Sequence, residues 1–200
     1  MHPASLFAQT NAAALAAFVA ARGFALIAAQ GQRAPLVAHA PVLLDGARLR
    51  FHLSASNAMV SALAAAPRAV AVVTGPDAYI SPDWYAAADQ VPTWNYLSAE
   101  IEGDVTVLDR VGAAAMLDDL SAHFEAPLAP KPPWTRAKMT PARFETLLGG
   151  IICYEMAVER LEGIIKLSQN KPGEIARVAQ RLAERPDNGS RQIGKLMEDL

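Results

Sequence analysis

The chain has 200 residues, of which 52% are hydrophobic and 19% charged, and this is enough for one sizeable domain with its own core. The formal net charge is -2, so no overall positive field would draw the protein to nucleic acid or to an anionic membrane. A single cysteine, Cys153, excludes an intramolecular disulfide and a cysteine-based zinc site.

An alanine-rich run near the start predicts a first helix, which Thr10 or Asn11 caps and Gly23 ends. Neither Lys nor Arg precedes this run, and Arg22 interrupts it before it reaches the roughly 18 apolar residues of a membrane span. We therefore expect a cytoplasmic protein with neither a secretory signal nor a membrane-spanning helix.

The following segments alternate between apolar runs and turn residues, a pattern typical of antiparallel strands. A buried strand at residues 68–75 is expected to end at Gly75-Pro76. The remaining strands are predicted at residues 24–29, 35–44, 47–54, 91–109 and 151–163, and helices at 57–67, 110–126, 140–150 and from Pro172 onward. On the helix at 110–126 we expect Phe124 to face inward and His123 to lie on the surface.

These strands lack a regular β-α-β alternation and therefore favour an antiparallel barrel or sandwich over a doubly wound sheet. The predicted fold class is α+β and rich in β structure, with flanking helices. An antiparallel barrel must close or pair its edges, so a homodimer is also expected.

Polar and aromatic residues are concentrated in three islands, at residues 51–57, 80–96 and 166–171. The second island contains Ser81-Pro82-Asp83, which suits a type I turn that would present Trp84 and Tyr85 together. The third island, KLSQNK, supplies an ammonium group and several side-chain donors suited to a phosphate or a carbonyl edge. A solvated loop before a helix is the alternative interpretation of KLSQNK.

The stretch VPTWNY, at residues 91–96, begins a predicted strand. Its proline holds the preceding residue extended, and the two-residue period of a strand then places Thr93 and Asn95 on one face, Trp94 and Tyr96 on the other. A planar heterocycle with hydrogen-bonding edges could use both faces. The alternative is that the aromatic pair packs in the core while Thr93 and Asn95 cap a turn.

Three segments follow one another along the chain: SPDWY, VPTWNY, and the pair EG followed two residues later by KLSQNK. Together they resemble the PaiB family of FMN-binding proteins, often labelled negative transcriptional regulators. The opening MHP, the segment AHAPV and the connector KPPWTRAKM resemble a proteobacterial branch of that family. The resemblance implies a split β-barrel of the FMN-binding type, a six-stranded antiparallel Greek-key barrel that pairs into a homodimer with two flavin sites at its interface.

The resemblance also implies which residues contact the cofactor. Lys166 and nearby hydroxyls would meet the phosphate of FMN, whereas Trp94, Asn95 and Gln169 would contact the isoalloxazine ring or line its cavity. The full set of cofactor-binding residues is His52, Asn57, Ser81, Trp84, Tyr85, Thr93, Trp94, Asn95, Lys166, Ser168, Gln169 and Asn170. We divide the chain into a split-barrel domain, residues 1–165, and a C-terminal loop and helical tail, residues 166–200, packed on the barrel or on the dimer partner.

Two departures from the family pattern weaken the expected FMN binding. Relatives generally carry a basic residue where this chain has Ala55, and often Lys or Arg where it has Ile164 and Ile165. The loss of one charge-assisted hydrogen bond to phosphate would weaken binding roughly tenfold to a hundredfold. Arg33, Arg50 or Arg68 from neighbouring strands are the substitutes that the sequence offers.

Two functions follow from this pattern. The first is a flavin-dependent redox or regulatory protein, and if it is an enzyme it is an FMN-dependent oxidoreductase without a recognisable catalytic residue. The alternative is a transcriptional regulator or binding protein on the same scaffold with weakened or lost FMN binding. The histidines of the chain lie too far apart in the sequence to predict a metal site. A basic stripe in the tail, Arg177, Arg181 and Arg185, lies among glutamates and favours a solvated helix over a DNA-binding one.

Overall fold

A computed structural model of the chain describes residues 4–200, so the MHP opening, on which part of the family resemblance depends, lies outside the described residues. The strands are β1 (Ala8–Gln9), β2 (Phe24–Ala29), β3 (Leu36–Asp45), β4 (Arg48–Ser54), β5 (Arg68–Ile80), β6 (Thr93–Val107) and β7 (Ile151–Lys166). The α-helices are α1 (Ala12–Arg22), α2 (Ala58–Ala65), α3 (Arg110–Glu125), α4 (Pro141–Leu148), α5 (Ile175–Ala183) and α6 (Asn188–Glu198).

The strands form one sheet in the order β1-β7-β4-β3-β2-β5-β6, and β6 also pairs with β7. This second pairing closes six strands into an antiparallel barrel and leaves β1 as an extra strand beside β7. Strand β5 follows the meander β2-β3-β4 but pairs with β2, which is the strand order of a Greek key. The predicted β-rich α+β barrel is confirmed.

Side chains alternate between the two faces of the strands, as the two-residue period requires. On β4, Leu49, Phe51 and Leu53 are buried while Arg50 and His52 on the other face are half-buried. The ring of Phe51 stacks on that of Tyr154 from β7, with 5.3 Å between the ring centroids. The apolar runs that predicted strands therefore fill the barrel interior through every second residue.

Contacts divide the chain into two compact units, and β5, β6 and β7 each run from one into the other. The first unit contains the described residues up to Leu15, Val73–Ala99 and Glu162–Leu200. The second unit contains Ala16–Val72 and Glu100–Leu161.

The core of the first unit joins the two C-terminal helices to the ends of three strands and the loop between β5 and β6. Its buried residues come from β5, that loop, the turn after β7, and helices α5 and α6: Ala78, Ile80, Tyr85, Leu167, Val178, Ala179, Leu182, Ile193 and Met197. Helix α6 begins where the Asp187 carboxylate accepts a hydrogen bond from the Ser190 amide at 2.7 Å. The helical tail thus shares a hydrophobic core with the strand ends that carry the second and third polar islands.

Two local expectations are wrong. Strand β5 does not end at Gly75-Pro76 but continues to Ile80. Its pairing with β2 covers only Ala69 to Val72. Pro76 lacks an amide hydrogen, but it lies beyond this pairing and so interrupts none of its hydrogen bonds. On α3, His123 is half-buried and its Nε2 lies 3.0 Å from the Ala20 carbonyl oxygen, whereas Phe124 is exposed. A polar ring thus occupies the inward position because a backbone acceptor is available there.

Candidate functional site

Most of the predicted cofactor residues lie in one part of the molecule. Ten of the twelve belong to the first unit, where they occupy the loop between β5 and β6, the start of β6 and the turn after β7. The two exceptions, His52 and Asn57, belong to the second unit. The second and third islands therefore form the candidate site.

The turn after β7 is fixed by a buried pair of polar side chains. Ser168 has φ of 60°, in the left-handed region that a side chain rarely adopts, and it is 2% exposed. The Asn95 amide nitrogen donates to the Ser168 hydroxyl at 3.0 Å, and that hydroxyl lies 3.3 Å from the Asn95 carbonyl oxygen. Two side chains 73 residues apart in sequence thereby stabilise a strained backbone position.

Neighbouring residues complete this buried cluster. The Tyr85 hydroxyl lies 3.4 Å from the Ser168 hydroxyl, and the Asn95 amide nitrogen lies 3.5 Å from the Met197 sulfur. Asn95 is fully buried, so its amide makes these hydrogen bonds inside the protein. The observed contacts give Asn95 and Ser168 a positioning role, and their contact with flavin stays a prediction.

Lys166, at the end of β7, carries a half-buried ammonium group. It donates to the Thr93 hydroxyl at 2.6 Å and lies 5.8 Å from the ring centroid of Phe7. Burial, and then the positive charge of Lys171, lower the pKa of Lys166 below its ordinary value. Within residues 4–200, Lys166 makes no ion pair with a carboxylate.

A second ammonium group, from Lys171, lies in the same unit. It donates to the side-chain oxygen of Gln90 and lies 3.9 Å from the ring centroid of Tyr85. Lys171 ends the segment KLSQNK, but the sequence analysis did not include it among the predicted cofactor residues. Only its position five residues after Lys166 could have indicated a role in the site, because both of its contacts are with residues distant in sequence.

The last two residues of the third island differ in their surroundings. Gln169 accepts from the Leu167 amide at 2.7 Å and donates to the Ile165 carbonyl at 2.6 Å, so its side chain braces the turn. Asn170 is exposed. Of these two residues, only Asn170 leaves its side chain open to solvent.

An aromatic cavity of about 510 Å³ lies in the same unit. The rings of Trp94 and Tyr79 meet edge to face in its wall, with 6.0 Å between their centroids. Trp94 is 53% exposed, so the alternative that placed it in the core is wrong. The complete lining is Asp77, Ala78, Tyr79, Ser81, Trp84, Trp94, Arg185, Asp187 and Ser190, which includes three predicted site residues.

The first island has a different character. Asn57 caps α2 by accepting from the Met59 amide at 2.9 Å. Within residues 4–200, the buried Nδ1 atom of His52 has no hydrogen-bond partner, and burial lowers the pKa of His52. Both residues belong to the second unit, and their contact with a flavin stays a prediction.

Two of the three expected substitutes for the missing basic residue are already engaged. Arg50 donates to Asp119 at 2.8 Å, and Arg68 forms ion pairs with Glu102, Asp104 and Glu159 at 2.8, 3.1 and 2.9 Å. Arg33 is exposed in the turn between β2 and β3.

The second unit contains a larger cavity, of about 940 Å³, beside α3 and α4. Trp134, Arg136 and Phe144 are among its lining residues, and none of the twelve predicted cofactor residues is. The Arg136 guanidinium lies 2.8 Å from Asp118 and 4.7 Å from the centre of the Phe144 ring, so its charge is already paired.

Across residues 4–200, no group of three or more acidic, histidine or cysteine side chains could hold a metal ion. No helix in that range has the length and apolar character to span a bilayer.

Solved structures share this fold at low sequence identity. The FAD and heme binding protein from Mycobacterium smegmatis is 19% identical with a TM-score of 0.58, over 80% of this chain and 73% of that one. The flavocytochrome Anf3 from Azotobacter vinelandii is 14% identical with a TM-score of 0.63, over 83% of this chain and 72% of that one. Both support the split-barrel fold.

Sequence relatives give the family. The chain is 28% identical over 208 residues to the "Protease synthase and sporulation protein PAI 2" of Bacillus subtilis (strain 168), covering 100% of this chain and 97% of that one. The family model described as "Putative FMN-binding domain" matches residues 1–160. The resemblance to PaiB is confirmed, and the chain belongs to this family of FMN-binding domains.

Proposed function

We propose that this chain binds FMN in the first unit, with Lys166 and Thr93 at the phosphate and the aromatic cavity at the isoalloxazine ring. The observation that carries the proposal is the half-buried ammonium of Lys166, which has a hydroxyl 2.6 Å away and no carboxylate partner within residues 4–200. A buried cation is normally paired, so a site that leaves it unpaired is suited to an anionic ligand.

The available donors fit the chemistry of FMN. Its phosphate carries between one and two negative charges near neutral pH, and an ammonium with an adjacent hydroxyl supplies charge-assisted hydrogen bonds. A cavity of about 510 Å³ lies within the range of small-molecule sites, and Trp94 and Trp84 offer flat surfaces to a ring. Bound flavin would supply the redox chemistry, while these residues bind and orient it.

The buried cluster of Asn95, Ser168 and Tyr85 has a separate part in this proposal. Ser168 lies two residues after Lys166, and the Asn95 hydrogen bonds hold the turn in a single conformation. A turn fixed in this way orients the ammonium group before ligand arrives, which lowers the entropic cost of binding. We assign these three residues to positioning.

A redox role is better supported than DNA binding. In the tail, Arg181 lies 3.3 Å from Glu184 and Arg185 lies 3.6 Å from Asp187, so two arginines of the basic stripe have acidic partners. DNA binding needs clustered positive charge that is free to meet phosphates. The structural neighbours named as a FAD and heme binding protein and as a flavocytochrome also favour redox chemistry on this scaffold.

The proposal includes a homodimer. On the outer face of β2 and β3, Phe24 is 53% exposed and Val37 is 55% exposed. Phe24 lies opposite Pro41 in the register of the two strands, and its ring stacks on His39 with a centroid distance of 6.1 Å. An apolar outer face on a barrel that already has a filled interior is suited to a subunit interface.

Sedimentation velocity of Val37→Glu tests the dimer. A charge placed in an apolar interface should dissociate it, so the expected result is a monomer beside a dimeric parent protein. The matched control is Val107→Glu, since Val107 is also an exposed valine in the second unit, at 65%. A monomeric parent protein, or a Val37→Glu protein that stays dimeric, would contradict the interface.

Titration of purified protein with FMN, followed by quenching of flavin fluorescence, tests the flavin site. Lys166→Met should weaken FMN binding about tenfold to a hundredfold, because it removes a charge-assisted contact with phosphate. The control is Lys195→Met, which removes an exposed ammonium from α6 in the same unit. Equal losses in both variants, or no quenching by the parent protein, would reject the site.

A further inference from the structure

A bound phosphate needs compensating positive charge, which Ala55 and Ile165 do not supply. The guanidinium groups of Arg50 and Arg68 are already held by carboxylates. One ammonium, that of Lys166, would then face a phosphate of nearly two charges. The first unit contains a second half-buried cation that could balance the remainder.

The turn after β7 brings Lys171 back toward Lys166. The left-handed conformation of Ser168 reverses the chain, and the Lys171 amide donates to the Ser168 carbonyl at 2.8 Å to close the turn. The Lys166 ammonium donates to Thr93 and the Lys171 ammonium to Gln90, so the two groups bind side chains three residues apart in sequence. The positive charge of Lys171 also lowers the pKa of Lys166. The turn therefore brings both lysines to the same segment before β6.

The partners of Lys171 are neutral. Its ammonium donates to the side-chain oxygen of Gln90, whose own nitrogen is held by the Ala88 carbonyl at 2.9 Å, and it lies over the Tyr85 ring. The acidic residue nearest in sequence, Glu174, uses its two oxygens on the Ala86 and Ala87 amides at 3.0 and 3.3 Å. In the described part of the chain, Lys171 makes no ion pair.

Two ammonium groups whose partners within residues 4–200 are neutral repel each other, and the attraction of a dianion bound between them would offset this repulsion. The Tyr85 ring and the Gln90 oxygen stabilise the charge of Lys171 without neutralising it. The pair is therefore organised to receive an anion that carries more than one charge.

We propose that Lys171 is the second cation of the flavin phosphate site and that it supplies, together with Lys166, the positive charge that the phosphate needs. The inference rests on the proposed function, since it assigns a further residue to the same site. It also sets the ligand preference, because a flavin without phosphate gains nothing from either ammonium group.

The test is the affinity of Lys171→Met and Lys171→Arg for FMN and for riboflavin, which lacks the phosphate. We expect Lys171→Met to lose about tenfold or more in FMN affinity while its riboflavin affinity stays within about twofold, and Lys171→Arg to retain most of the FMN affinity. Lys195→Met is the control, and circular dichroism with a thermal melt verifies that each variant is folded.

The outcomes separate this inference from the proposed function. If the parent protein binds FMN and Lys171→Met keeps the parent ratio of FMN to riboflavin affinity, Lys171 is not a phosphate ligand, although the flavin site stands. A loss of both flavins to the same extent would show that Lys171 supports the fold of the site and would also overturn the inference. If the parent protein binds neither flavin, the proposed function fails together with the inference.

Discussion

The positively charged side chains at the end of β7 and in the turn after it have different kinds of partner from those on β5 and β7 in the second unit. Arg68 meets three carboxylates, and Arg160 donates to Glu102 at 2.6 Å, so these guanidinium groups are already bound to acidic partners on the surface. Lys166 and Lys171 are half-buried and bind a hydroxyl, an amide oxygen and aromatic rings. The difference indicates that the arginines serve the fold while the lysines are available to a ligand.

Under the proposed function, this comparison also explains how the chain binds flavin without the basic residues that the family resemblance implies. Charge counts along the sequence treat every Lys and Arg alike, but a cation that is already paired has little to offer a phosphate. What matters is which cations have neutral partners, and that property depends on contacts between distant segments. Four predictions follow from it, from the largest expected effect to the smallest.

The largest effect should come from Asn95→Leu, which removes the amide that holds the Ser168 turn. The Ser168 hydroxyl would lose its buried partner, and we expect the free energy of unfolding to fall by about 3 kcal/mol. Urea denaturation measures this change. Arg68→Gln is the control, since its ion pairs are exposed and should contribute little, so equal losses in the two variants would contradict the distinction between buried cluster and surface network.

Removing both lysines should abolish the preference for phosphate. We expect Lys166→Met combined with Lys171→Met to lose about a hundredfold in FMN affinity and to bind FMN and riboflavin almost equally. The matched control replaces Arg68 and Arg160 by Gln, which also removes two positive charges. Isothermal titration that shows the same loss in both double variants would mean that net charge alone, rather than these two lysines, attracts the ligand.

The pH dependence of FMN binding should follow Lys166. Its pKa is lowered from 10.5 by burial and by Lys171, and phosphate binding needs the ammonium form, so FMN affinity should begin to fall with rising pH at a pH below 10.5. Affinity should also fall below about pH 6, where the phosphate takes up its second proton. Lys171→Met removes one of the two causes of the lowered pKa, so the fall of FMN affinity at high pH should move to higher pH. A fall that stays at the same pH would show that the titration of Lys166 does not cause it.

The smallest effect should come from Trp94→Leu at the aromatic cavity. Loss of the flat ring surface should weaken FMN and riboflavin alike by about three- to tenfold, since both carry the isoalloxazine ring. Fluorescence titration with each flavin measures the two affinities. A selective loss of FMN would place Trp94 at the phosphate instead, and Phe124→Leu, at an exposed aromatic residue of α3, serves as the control.

The sequence allowed the fold and part of the site to be predicted. Apolar alternation located the strands, and the two-residue period correctly placed Thr93 and Asn95 together on one face of β6, opposite the exposed Trp94. The order of the islands identified the family. These signals are local or are shared by all members of the family, and both kinds can be detected in one chain.

The partners of the site residues could not be predicted, because they depend on contacts between distant segments. Asn95 and Ser168 are 73 residues apart, and Lys171 and Gln90 are 81 residues apart. The sequence offered Arg50 and Arg68 as substitute phosphate ligands because it does not show that carboxylates from other strands and helices bind them. For the same reason it gave no indication that the partners of Lys171 in the described part of the chain are neutral.

The ratio of FMN to riboflavin affinity in the unmodified protein tests the central claim most directly, because the two ligands differ only in the phosphate. Equilibrium dialysis at physiological salt measures both constants on the same preparation. The account predicts that FMN binds about a hundredfold more tightly than riboflavin, and that this preference shrinks as salt is raised. Equal affinities for the two flavins would contradict it, since two ammonium groups that have no carboxylate partner within residues 4–200 would then contribute nothing to recognition of the ligand.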